Sequence, residues 1–92
     1  VARITTLNFK SKEGANQIED TYKNNAPTEF SEAEQLLEVR INETTLMFVS
    51  LYVDKDAMER ASAARTKRMD LNKDLIDSMD GKTGEVILNH SN

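Results

Sequence analysis

The spacing of apolar positions along this chain switches repeatedly between the period of a strand and that of a helix. "RITTLNFK", Arg3 to Lys10, alternates: Ile4, Thr6 and Asn8 fall on one side, and Arg3, Thr5, Leu7 and Phe9 on the other. That is a strand pattern. Ser11 then offers a helix N-cap, with Ala15, Ile18 and Tyr22 following at helical spacing. The helix is expected to end near Asn24–Asn25, because Pro27 disfavours a helical conformation at Ala26. "SEAE", Ser31 to Glu34, has capping-box form and predicts a short helical turn.

Leu37, Val39 and Ile41 alternate with Glu38 and Arg40, so the second strand has one apolar and one polar face. "NETT", Asn42 to Thr45, reads as a reverse turn, and Leu46 to Val53 as the third strand of a hairpin. Asp54 is placed to cap a second helix, which starts with Ala57, Met58, Ala61, Ala64 and Arg65. Leu71, Leu75, Ile76 and Met79 carry its stripe onward, and Gly81 and Gly84 are expected to end it. "EVILN", Glu85 to Asn89, is the expected fourth strand. With no internal repeat or linker, residues 1–92 read as one domain.

The order β-α-β-β-α-β makes this an α+β chain of ferredoxin-like arrangement, with a four-stranded antiparallel sheet and two helices on one face. Right-handed crossovers place the first and third strands in the centre. The third strand is apolar on both sides: Met47, Val49, Leu51 and Val53 on one, Leu46, Phe48 and Tyr52 on the other. Two helices cover only one face. An uncovered apolar sheet face marks an interaction surface, and a second copy packed sheet to sheet is the simplest partner.

Composition narrows the choices. A chain of 92 residues has a thin core and gains from self-association. The net charge of −4, with two Tyr, three Phe and no Trp, argues against nucleic acid as a partner. Arg60, Arg65, Lys67 and Arg68 are interleaved with acids, and a solvated helix face is favoured over a phosphate patch. The absence of cysteine excludes disulfide and thiol chemistry. No apolar run reaches the length of a membrane span, and the first residues lack the form of a signal peptide. A cytoplasmic protein with no membrane partner is expected.

"FVSLYVDKDAMERA", Phe48 to Ala61, runs an apolar strand into an aromatic, an acid and a helix starting with Ala. With the βαββαβ order, it resembles the dimeric α/β-barrel superfamily, which includes the antibiotic-biosynthesis-monooxygenase-like domains. Tyr52 stands where such domains most often have tryptophan. The resemblance implies a ferredoxin-like subunit that dimerises into an α/β barrel, with a pocket between helices and sheet along Thr5, Leu7 and Phe9. The superfamily hosts oxygenases, haem degraders, isomerases and binding domains, so fold does not fix activity. Haem-degrading members resemble one another in an Asn, a Trp and a helical His. This chain has no Trp, and its only histidine, His90, lies outside the second helix.

Each candidate residue has a plain alternative. His90 titrates near neutrality and is a candidate general base, but it lies in the end segment "NHSN". One His and no Cys do not make a transition-metal site, so no metal and no cofactor are expected. Tyr52 is a candidate acid or polar handle, or a ring buried at a strand end. Ser50 has no evident His-Asp partner and reads as a small core residue. Glu38 and Arg40 share a strand face and either pair across a two-fold axis or form the solvated side of an edge strand. The four methionines are read as core, with an adaptable pocket wall as the alternative. The small residues that open the second helix either let it sit close to the sheet or leave room for a ligand.

The expected function is a homodimer holding a small apolar molecule, fatty-acid-like or polyketide-like, in each subunit. The expected lining is Thr5, Leu7, Phe9, Tyr22, Val49 and Leu51, with Tyr52 as the handle. The alternative is a cofactor-independent monooxygenase or isomerase with Tyr52 and His90 as the only proposed catalytic groups. A third possibility is a structural or regulatory dimer with no pocket.

Overall fold

The computed structural model describes residues 1–92. Its elements are β1 (Ala2–Phe9), α1 (Lys12–Glu29), β2 (Gln35–Asn42), β3 (Thr45–Leu51), α2 (Lys55–Arg60), α3 (Ser62–Asn72) and β4 (Ile76–Gly84). The four strands form one sheet in the order β2-β3-β1-β4. Every pairing is antiparallel, with β1 and β3 central.

The caps read from sequence form as local chemistry dictates. Ser11 Oγ accepts from the Gly14 N–H at 3.0 Å, and Asp54 Oδ1 from the Ala57 N–H at 2.8 Å. Each satisfies a donor that a helix start leaves free. The α1 helix runs past its expected end. Pro27 lies inside its last turn, where it removes one N–H donor without stopping the helix. Ala26 is buried, and the N–H of buried Phe30 donates to the Ala26 carbonyl at 2.8 Å. Packing at these two anchors outweighs the proline. Ser31–Glu34 forms turn and bend rather than a helical turn.

The second helix is broken at Ala61, whose N–H donates to the Met58 carbonyl at 3.2 Å. It ends at Asn72, followed by a 3-10 turn over Lys73–Leu75. The expected helical stripe therefore does not extend to Met79, and Leu71 is 75% exposed. The fourth strand is not Glu85–Asn89 but Ile76–Gly84, "IDSMDGKTG". This segment is polar and exposed because it is an edge strand, held by its backbone ladder to β1 from Ala2↔Gly84 to Asn8↔Ser78. Its Asp80 and Lys82 also make a poor template for further strands. Gly81 and Gly84 sit within that strand rather than ending a helix. Glu85–Asn89 has no regular structure despite its apolar composition, and Ile87 and Leu88 stand largely in water.

The core lies between the sheet and the helices. Leu7 and Phe9 of β1 and Leu46 and Phe48 of β3 meet Ala15, Ile18, Tyr22 and Ala26 of α1 and Ala57 and Met58 of α2. The Tyr22 and Phe48 rings lie 4.6 Å apart between centroids, tilted by 59°. Such tilted pairs add to the burial of the two rings themselves. No residue of α3 is fully buried. The opposite sheet face carries Ile4, Leu37, Val39 and Ile41, each between 43% and 53% exposed.

Glu38 and Arg40 prove to point toward the helices, while Leu37, Val39 and Ile41 occupy the open face. Arg40 Nη1 donates to Glu19 Oε1 on α1 at 3.1 Å. Glu38 receives no such partner: both carboxylate oxygens are buried without a hydrogen bond. Burial, with repulsion from Glu19, pushes its carboxyl up to about 7.

Candidate binding site between the sheet and the helices

Alternation along β1 and β3 directs Arg3, Thr5 and Leu7, and Phe48, Ser50 and Tyr52, toward the helices. Ile18 and Tyr22 of α1 close one side of the space above them. Arg65, Arg68, Met69 and Asn72 of α3 close another, and Phe30 and Ile76 complete the lining of a cavity of about 60 Å³. The α3 contributors recur at helical spacing and so share one face.

The polar groups are unevenly balanced. Three arginines line the cavity and no carboxylate does. Arg68 is neutralised from outside: its Nη2 donates to Glu29 Oε2 at 2.7 Å, and its guanidinium carbon sits 5.5 Å from the Tyr22 ring centroid. That geometry combines an ion pair with a cation–π contact. Arg65 donates only to a backbone carbonyl, that of Met58, at 3.3 Å. Arg3 Nε is buried with no partner. Burial, and then the like charge of Arg65, lowers the Arg3 guanidinium below its ordinary value, with Tyr52 acting the other way. Burial raises the Tyr22 phenol, which the neighbouring Ser50 hydroxyl partly offsets.

Gly81 positions Arg3. A Cβ at Gly81 would lie 2.6 Å from Arg3 Nη2 and 3.2 Å from Cζ, so the guanidinium rests against a strand with no side chain at that point. Gly81 has no positive φ. Its role is close approach rather than unusual backbone geometry.

Of the residues expected to line a pocket, Thr5, Leu7, Tyr22 and Tyr52 border this cavity. Phe9 lies in the core outside the lining. Val49 and Leu51 point to the open sheet face, since they alternate with Phe48 and Ser50. Tyr52 is 2% exposed, so its ring is buried at the end of the strand. His90 lies in the exposed tail, apart from the cavity lining. No group of three or more His, Cys, Asp and Glu side chains is placed to hold a metal ion. The arginines are what sequence reasoning missed. Arg3 shares a strand face with Thr5 and Leu7, and Arg65, Arg68, Met69 and Asn72 share a helix face; following those spacings finds them.

No helix is long and apolar enough to cross a membrane. No family model matches the sequence, and no curated protein matches it. Solved structures do match over nearly the whole chain. A dimeric ferredoxin-like protein from an uncultured marine organism superposes with a TM-score of 0.79 at 12% identity, over 99% of this chain and 90% of that one. A variant of SnoaB, a cofactor-independent oxygenase from Streptomyces nogalater, gives 0.64 at 15% identity, over 97% and 96%. The ActVA-Orf6 monooxygenase of Streptomyces coelicolor, in complex with nanaomycin D, gives 0.65 at 9% identity, over 98% and 91%. At these identities the likeness is one of fold. The chain has the ferredoxin-like α+β fold shared by dimeric ferredoxin-like proteins and by small monooxygenases of the antibiotic-biosynthesis type.

Proposed function

We propose that this chain is a homodimeric binding domain that holds a small, mainly apolar molecule between sheet and helices in each subunit. The observation that carries this reading is the cavity itself, lined mostly by apolar side chains with a few polar groups directed inward. Its size sets a condition. A cavity of about 60 Å³ is smaller than the ~150 Å³ that accommodates benzene. A fatty-acid-like or polyketide-like ligand enters only if a wall moves outward, and α3, with no fully buried residue, is the wall least tied to the core. The pairing surface is the open sheet face of Ile4, Leu37, Val39 and Ile41. Burying the exposed half of these side chains contributes roughly 1 kcal/mol per residue to the dimer. A cytoplasmic setting, consistent with the lack of cysteine, belongs to the same reading.

Native mass spectrometry tests both parts. The expected species is a dimer carrying a small molecule. A monomer at micromolar concentration refutes pairing through the sheet. Failure to retain or bind any member of an apolar library refutes the ligand and leaves a dimer without a binding role.

A second reading is a cofactor-independent monooxygenase. The enclosure of Tyr52 within the same cavity as Arg3 favours it, because a phenol and a guanidinium there can hold a substrate oxygen as it gains charge. Oxygen uptake with electron-rich hydroxylated aromatics is the assay. Uptake unchanged in Tyr52→Phe removes Tyr52 from the reaction.

A further inference from the structure

We infer that the molecule held in this cavity carries a carboxylate, bound between Arg3 and Arg65. The inference rests on the binding role proposed above and names the chemical class of the ligand. The lining joins apolar walls to three guanidinium groups without one acidic side chain, in a chain whose net charge is −4. Glu29 occupies Arg68, so the local excess of positive charge belongs to Arg3 and Arg65. Arg3 is held against like charge from Arg65, its Nε enclosed and unbonded, and Gly81 leaves the space in which its guanidinium lies. A buried donor without an acceptor and two like charges brought together are both unfavourable until an anion arrives. A carboxylate supplies two acceptor oxygens in the plane that a guanidinium fork matches. The lining is otherwise mostly hydrophobic, as suits the apolar remainder of a small organic acid rather than a free inorganic anion.

The test is a titration of the ¹⁵N-labelled full chain followed by amide and arginine Nε–H resonances. The matched probes are 1-naphthoate and 1-naphthamide, supplemented by decanoate and decanol. The expected result is saturable shifts at Arg3, Arg65, Tyr22 and Tyr52, with each acid binding at least about tenfold tighter than its neutral counterpart. Arg65→Gln, which alters a partly exposed helix position, is expected to erase most of that preference while the neutral probes still bind; Arg3→Gln is expected to do the same. Equal affinity for acid and neutral probes in the native sequence overturns the carboxylate assignment and leaves the binding role intact. Preference retained in both variants overturns the assignment to this arginine pair. Shifts confined to surface lysines, or no cavity shifts with any of the four probes, overturn the binding role and this inference together.

Discussion

Glu38→Gln is the most direct test of the electrostatics of this fold. The native carboxylate is enclosed on the edge strand β2, facing Glu19, Asp20 and Lys23 on α1 and Arg68 on α3, with no hydrogen-bond partner. Its pKa of about 7 in the folded chain compares with 4.5 for an unperturbed group. The folded state thus binds the proton more tightly than the unfolded state. Stability is fullest below about pH 4.5 and falls as pH rises through about 7, the reverse of a salt-bridged carboxylate. At about 1.36 kcal/mol per pKa unit, the upper bound on the loss is roughly 3 kcal/mol. Glu38 as a residue is only half buried, on an edge strand, and solvent screening reduces the effect to about 1–1.5 kcal/mol between pH 5 and 8. Urea unfolding followed by circular dichroism, at fixed protein concentration, measures it in both proteins. Glutamine keeps the shape and cannot ionise, so the native chain is expected to lose about 1–1.5 kcal/mol more than the variant over that interval. Equal pH dependence in the two refutes the claim that the surroundings of Glu38 raise its proton affinity on folding. A native protein that gains stability relative to the variant as pH rises reverses the sign and refutes it more strongly.

Two further substitutions probe local structure. Asp54→Ala removes the acceptor at the start of α2 and is expected to cost about 1 kcal/mol in urea unfolding, with Asp54→Ser recovering most of it. Gly81→Ala places a methyl where the tip of the Arg3 side chain lies. Because that tip is flexible, stability is expected to change by less than about 1 kcal/mol, while the Arg3 Nε–H resonance moves and any preference for acids over neutral probes falls.

The first half of the fold was legible because its side chains alternate against a buried face. Leu7 and Phe9, and Leu46 and Phe48, are the inward residues of central strands, and their spacing marks them. β4 was hidden for the opposite reason. It is an edge strand in solvent, and "IDSMDGKTG" has no apolar face for the periodicity to mark. The apolar "EVILN" mimicked a strand, yet the ladder beside β1 was already filled by Ile76–Gly84, which follow the 3-10 turn after α3. Pro27 misled because local preference is weaker than the anchorage of Ala26 and Phe30. The site was half legible. Thr5, Leu7, Tyr22 and Tyr52 follow from inward-facing apolar patterns, whereas Arg65 reads as a solvated charge, and Arg3 is marked only by its strand face until the structure brings both to one cavity. Glu38 illustrates the same limit: sequence places it beside Arg40, and only the packed helix shows that Glu19 serves one and repels the other.

The loose seating of α3 has a kinetic consequence. A helix without a fully buried residue has a low free energy of local opening, so its amides exchange hydrogen through excursions much smaller than global unfolding. The same excursions uncover Arg65, Arg68, Met69 and Asn72. On the proposed binding role, entry to the cavity and exchange along α3 are one event observed in two ways. A ligand that fills the cavity slows both, and the protection it confers is concentrated on this helix rather than spread over the sheet.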